Sequence, residues 1–394
     1  MAAENSAVKR KTVIKPKKNK KSSAEKIKRN GIDIPFLVLT LIILMIGLIM
    51  MFSAGHVQAQ AKYKDSYYFI KRQGAFAILG LICMYVASRM PMSFYKKIAF
   101  PLLGVSILML ILVLIPGVGI TANGSRRWLG IRSVFTFQPS DIAKFAIILV
   151  FASIISANYN KMKTFKYGIL PFGIILAVCC GLILCQTHFS ATLLICFVAL
   201  IMMVVGGSNL KILGGIGAIG GIGLFAMMMM RGYSSSRITT WLNPFENPTG
   251  EGYQILNSLY AIGSGSLTGL GLGQSRQKFL YLDEAQNDFV FAIVCEELGF
   301  IGALLILSLF VLLIWRGFVI AFKAPDKFSC MVVLGIISLI AVQTILNVAV
   351  VTNTIPVTGI SLPFFSYGGT ALTMLLGEIG VVLAVSRYSY TDNS

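Results

Sequence analysis

The run IPFLVLTLIILMIGLIMMFSA, residues 34–54, holds 21 residues without one charged side chain. As a helix rising 1.5 Å per residue it is about 30 Å long, the thickness of a bilayer's hydrocarbon core. Nine further apolar runs follow, at 73–88, 98–116, 139–157, 168–186, 190–206, 212–230, 288–314, 329–353 and 368–386. The chain therefore reads as an all-α polytopic membrane protein with ten transmembrane helices. Composition agrees: 56% of 394 residues are hydrophobic, only 12% are charged and mean hydropathy is +0.80, which excludes a soluble globular protein, whose charged share is about 25%.

Charge sets the orientation. Eleven Lys and Arg lie between Lys9 and Arg29, and cytoplasmic segments carry the basic excess. With the N-terminus inside, 22 of the 34 cations fall on inner segments and 11 on outer ones, with Lys144 inside a span. Residues 1–33 then form a basic, disordered cytoplasmic tail on anionic inner-leaflet lipid, without a signal-peptide cleavage pattern. Residues 34–388 are the membrane domain and 389–394 a cytoplasmic C-terminal tail. The +19 net charge is thus no mark of nucleic-acid binding. Seven cysteines sit in or beside apolar runs without metal-ligand or disulfide spacing, and two histidines do not suggest a metal site.

The longest polar interruption, 231–287, falls outside. It holds Arg231, Arg237, Glu246, Glu251, Arg276, Lys278, Asp283 and Glu284, and its half-apolar stretch 253–262 reads as an interfacial amphipathic helix.

Ionisable groups at bilayer depth are costly and mark candidate sites. Asp141 and Lys144, three residues apart at the start of span four, share a helix face and serve either as a structural pair or in substrate binding. Asp288 opens span eight at the outer surface, where a base acting on a lipid-linked head group belongs. Glu296 and Glu297 lie about 12 Å further along that helix and read as partners of cations or helix ends. Glu378 has no neighbour in sequence to pair with.

The glycine run GSGSLTGLGLG, 263–273, is a weak phosphate-loop candidate. It lacks the strand and helix such a loop needs, and close backbone packing is the simpler reading. Arg276 and Lys278 after it, and Arg126 and Arg127 beside Trp128, supply external cations of the kind a diphosphate needs; the latter pair reads equally as a lipid anchor. Breaks at Asn353, Pro356, Gly359, Pro363, Gly368 and Gly369 before span ten imply a cavity near the outer face.

NGSRRW (123–128), FQPSDIAK (137–144), LNPFENPTGEGYQ (242–254), GLGLGQSRQKFLYLDEAQNDFVFAIVCEELGFIG (269–302) and PVTGISLPFFSYGG (356–369) together resemble the SEDS family, the FtsW, RodA and SpoVE group. The likeness runs from about residue 34 to 388, and the external segment is nearer FtsW and SpoVE than RodA. It implies a peptidoglycan glycosyltransferase that polymerises lipid II outside the cytoplasmic membrane, at the septum in division or sporulation. It also implies a class B penicillin-binding protein and other division proteins as partners. The family's essential external aspartate falls on Asp288. Departures are Asp141 for Glu, Asp283 for Pro, Asn287 for Thr, and Gln186-Thr187-His188 where the family has Gln-Pro-Asp.

The implied reaction is attack of a sugar 4-hydroxyl on an anomeric carbon, displacing undecaprenyl diphosphate with inversion. Asp288 is the base. Arg126, Arg127, Lys144, Arg276 and Lys278 bind the diphosphate, with Asp141, Glu284, Glu296 and Glu297 in support. A divalent cation such as Mg or Mn, held by Asp288 or Glu284, stays open. So do a precursor transporter using Asp141, Lys144 and Glu378 and a noncatalytic division scaffold. Gln343 and Asn347, four apart on span nine, share a face and offer donors either to a partner's helix or inward.

Overall fold

The computed structural model describes residues 31–122, 125–131, 135–230, 240–246, 248, 250 and 252–388. Residues 1–30 of the N-terminal tail, Arg231, Arg237, Glu251 and residues 389–394 lie outside the described residues.

Ten helices coincide with the ten apolar runs. They are α1 (Ile34–Tyr63), α2 (Tyr68–Arg89), α3 (Met92–Leu114), α4 (Pro139–Asn158), α6 (Leu170–Cys185), α7 (Phe189–Val205), α8 (Leu210–Met230), α10 (Val290–Phe322), α11 (Lys327–Val351) and α12 (Gly369–Ser386). Among the described residues eight helices are long and apolar enough to cross a bilayer, the fifth including the short α5 (Phe165–Gly168), while α7 is a shorter apolar helix. Their starts follow local chemistry. Asp33 accepts the Phe36 N–H at 3.0 Å, Pro139 opens α4, and Asp326 accepts from Phe328 and Ser329 at the head of α11. Each cap satisfies N–H groups that a helix leaves without partners, and proline at a first turn has none to lose.

Burial separates centre from rim. In α4 and α11, 67% of the apolar window is buried, against 28% in α2, α3 and α10, so α4 and α11 form the centre and the others present side chains to lipid.

One end of the bundle is fixed by polar contacts. The Asp33 N–H donates to Ser386 Oγ (3.1 Å), Arg316 pairs with Asp33 at 2.9 Å, and Arg387 donates to the Ser88 carbonyl. The head of α1 and the ends of α2, α10 and α12 therefore meet, as an even number of crossings requires.

Two features depart from the expected pattern. Residues between α3 and α4 form a small antiparallel sheet, β1 (Ile120–Ala122), β2 (Ser125–Ile131) and β3 (Phe135–Phe137), in the order β1-β2-β3. Within the external segment, α9 (Tyr253–Gly265) matches the expected amphipathic stretch: Ile255, Leu256 and Ala261 are buried while Tyr260 is exposed.

The second departure corrects span eight, expected over 288–314. Gly299 has φ 67° and ψ −171° inside α10, a left-handed backbone that suits glycine. It divides α10 into a half-helix, 290–298, and the membrane crossing from Phe300 onward. An added side chain at Gly299 would come within 2.3 Å of the Gly269 nitrogen.

Candidate functional site

The break is held by the glycine run. Leu270 and Gly271 N–H groups bond the Glu296 and Glu297 carbonyls at 2.9 Å, and the Phe300 and Ile301 N–H groups bond Ser266 and Leu267 at 2.9 and 3.1 Å. The run thus caps the half-helix and starts the crossing helix. A Cβ would lie 2.0 Å from the Cys295 carbonyl oxygen at Gly265 and 2.2 Å from that of Glu297 at Gly269, so close backbone packing explains these two glycines.

Ser53, bonded to Glu297, is 20 residues from Asp33 along α1, about 30 Å. Asn347, bonded to the Asp288 carbonyl, is likewise 20 residues from the head of α11. Both ends of 290–298 therefore contact residues 20 positions along their helices, far from the end of the bundle that holds Asp33 and Arg316.

At the far end the carboxylates are saturated. Glu296 accepts the Ser275 hydroxyl and the Arg276 N–H (2.9 Å). Glu297 accepts Ser53 Oγ on both oxygens at 2.7 Å and pairs with Lys278 at 2.9 Å, both side chains being wholly buried. This corrects Lys278. It was expected to bind diphosphate, yet its ammonium is sealed against Glu297 and anchors the loop to α1 and α10. Removing one partner of such a pair leaves a buried uncompensated charge.

At the near end Asp288 is half-buried, just before the Phe289 cap of α10. The 352–368 segment lies over it. Gly359 has φ 69°, and a Cβ there would be 3.2 Å from Asp288 Oδ2, so a left-handed turn without a side chain lets the backbone meet the carboxylate. Asn347 Nδ2 donates to the carbonyls of Asp288 (2.8 Å) and Ile360 (2.6 Å), and Gln343 Nε2 donates to the Ser361 carbonyl (2.9 Å). Both amides turn inward, the second of the two readings that their spacing leaves open.

The same segment reaches the first turn of α7, where Ser190 Oγ donates to the Thr358 carbonyl. Beside it, Arg127 donates to the Thr187 carbonyl at 2.6 Å and Gln138 contacts His188 Nδ1 at 3.0 Å. Arg127 and Asp288 are therefore joined by continuous contacts through the head of α7. Burial, with the charges of Arg127 and Lys144, pushes His188 down to about 3. It stands neutral where the family has an aspartate.

The other expected residues are more dispersed. Asp141 and Lys144 pair at 2.8 Å, largely buried, and the charges of both reach buried Glu378 on α12. That supplies the neighbours Glu378 lacks in sequence and makes the pair part of a structural triad. Arg126 and Arg276 are exposed. Glu284 accepts from Asn287 Nδ2 at 3.2 Å. No group of three or more His, Cys, Asp or Glu side chains able to hold a metal occurs among the described residues.

Residues missed in sequence include Ser53 and Gln73. Gln73, wholly buried, donates to the Ser366 carbonyl and accepts the Gly368 N–H, both at 3.2 Å. The sheet had one sequence cue, Asn123-Gly124, a favoured hairpin turn pair.

Residues 34–391 match the family model for FtsW, RodA and SpoVE, described as "Cell cycle protein". Stage V sporulation protein E of Bacillus subtilis is 45% identical over 363 residues, covering 92% of this chain and 99% of that protein. A probable peptidoglycan glycosyltransferase FtsW of a Geobacter species (strain M18) is 38% identical, covering 90% and 97%. Among solved structures, a peptidoglycan synthase complex described as coordinating polymerization and crosslinking contains a chain matching with TM-score 0.72 at 25% identity, covering 92% of this chain and 99% of that one. The rod shape determining protein RodA of Thermus thermophilus matches with TM-score 0.68 at 26% identity, covering 92% and 98%.

Proposed function

The chain belongs to the FtsW/RodA/SpoVE family, and from that premise we propose that it is a peptidoglycan glycosyltransferase polymerising lipid II at the outer face of the cytoplasmic membrane. The observation that carries this reading is the half-buried Asp288 carboxylate, held at the outer boundary with the Gly359 backbone against it.

Asp288 removes the proton from the acceptor 4-hydroxyl as the oxygen attacks the donor's anomeric carbon. The C–O bond to undecaprenyl diphosphate breaks on the opposite face, inverting the centre. A departing diphosphate needs no general acid, but its developing charge needs cations. In this reading Arg127 on β2, linked to Asp288 through the head of α7, and its exposed neighbour Arg126 supply that charge. Arg276, exposed at the far end of the half-helix, meets a more distant part of the substrate. Lys144 is committed to Asp141 and Lys278 to Glu297, so both hold the scaffold, together with Glu296 and the Asp141–Lys144–Glu378 triad. Glu284, bonded to Asn287, shapes the turn before Asp288.

The partner is a class B penicillin-binding protein whose membrane helix packs on the exposed apolar side chains Leu304, Leu305, Val311 and Ile345 of α10 and α11. The complex works at the division or sporulation septum. Purified protein incubated with labelled lipid II in detergent tests the activity: glycan polymer supports it, whereas the absence of polymer would favour the transporter reading.

A further inference from the structure

We infer that Asn347 is the positioning residue for the Asp288 base, clamping the backbone of Asp288 to that of Ile360. The inference rests on the reading of Asp288 as base and adds a residue that acts through it.

Asn347 has no exposed surface. Its Nδ2 gives both hydrogens to carbonyl oxygens, Asp288 at 2.8 Å and Ile360 at 2.6 Å. Because both neighbours are acceptors, the amide can stand only one way round, with nitrogen toward them. One side chain thus joins two segments far apart in sequence: the turn that ends at Asp288, and the 352–368 segment whose Gly359 lies against the Asp288 carboxylate. Gln343, one turn inward on α11, bonds Ser361 and fixes the segment without touching Asp288.

The Asn347 Oδ1 is buried with no hydrogen-bond partner. Leaving a buried amide oxygen without a partner opposes folding. An apolar side chain would avoid that penalty but would leave two carbonyls without donors. The residue type is explained by the two donors it delivers. Proton abstraction is sensitive to Å-scale misplacement of the base, and a carbonyl one residue from the head of α10 is a direct handle on where the Asp288 carboxylate points.

The test compares Asn347→Asp, Asn347→Ser, Gln343→Leu and Asp288→Asn in the full-length protein, reading kcat and KM for lipid II in detergent, with thermal unfolding as a control. Ionised Asn347→Asp keeps the shape and loses both donors; Asn347→Ser keeps one short donor. Both are expected to lower kcat about tenfold or more with KM within about twofold, while Gln343→Leu lowers kcat several-fold less. Should Asn347→Asp fail to fold, Asn347→Ser alone decides. Wild-type kcat in a folded Asn347 variant, or a loss carried by KM, overturns the clamp. If Asp288→Asn itself stays active, the base assignment falls instead, so the two failures are distinguishable.

Discussion

The half-helix 290–298 has acidic side chains at both ends, in opposite surroundings. At its C-terminal end Glu296 and Glu297 are wholly enclosed and meet hydroxyls, backbone N–H groups and a lysine. At its N-terminal end Asp288 is half-exposed and is approached by the backbone of a left-handed glycine. The same functional group thus serves as an anchor where every lone pair is met and water is excluded, and as a reactive group where a substrate can reach it. Accessibility separates the two roles.

The largest expected effect falls at the reactive end. Asp288→Asn should fold, bind its partner and lose about 10²-fold or more of its polymerase activity, the scale of a lost general base. Near-normal polymer length and rate from that variant would erase the distinction between the ends.

At the anchored end the effect should be on stability. Lys278→Met leaves Glu297 buried without its cation and should destabilise by about 3–5 kcal/mol, read as a fall in thermal unfolding temperature, whereas exposed Arg276→Gln should change it little. A Lys278→Met protein with unchanged stability and a raised KM for lipid II would return Lys278 to the substrate-binding set.

Smaller effects are expected from the external cations. Removing Arg126 and Arg127 together should weaken lipid II binding more than removing Arg276, and added salt should partly mimic the loss at exposed Arg126, because exposed charges are screened. Equal losses from the two removals would place the diphosphate along the half-helix instead of at its head.

The smallest concerns pH. Folded His188 resists protonation down to about 3 through burial and the charges of Arg127 and Lys144, against 6.5 for the free side chain. The unfolded chain therefore binds the proton first. The contribution is full above pH 6.5 and is lost as pH falls from 6.5 toward 3. His188→Gln should flatten that acid decline in unfolding temperature, and an unchanged slope would show that other groups set it.

Much of the fold was legible because lipid imposes simple rules. The run 34–54 and its nine counterparts had to be helical, since backbone polar groups in hydrocarbon find partners only within the segment. Pro139 and Asp33 mark helix starts by chemistry local to each turn. Asp288 was legible from its place beside an apolar run and its motif. Gly299 was not, because a glycine among apolar residues looks the same whether it is packed or bent; only the carbonyls and N–H groups of 265–271 require its left-handed backbone. Lys278 misled because a lysine in an external segment reads as exposed, and nothing in its neighbourhood names Ser53 or Glu297.

By itself, then, the sequence determined the helices, the end of the bundle that carries the long polar segment, and the carboxylate that stands at its edge, because each follows from hydropathy, charge or motif within a short window. The tertiary structure alone decided that Asn347 and Gln343 face inward, that the charges of Asp141 and Lys144 reach Glu378, and that Lys278 is sealed against Glu297 and Ser53. Those outcomes depend on contacts between residues from 13 to more than 200 positions apart, such as Asn347 to Ile360, Asn347 to Asp288 and Ser53 to Lys278. No short window along the chain contains both partners, and each group's charge, exposure and role are set by the partner it meets.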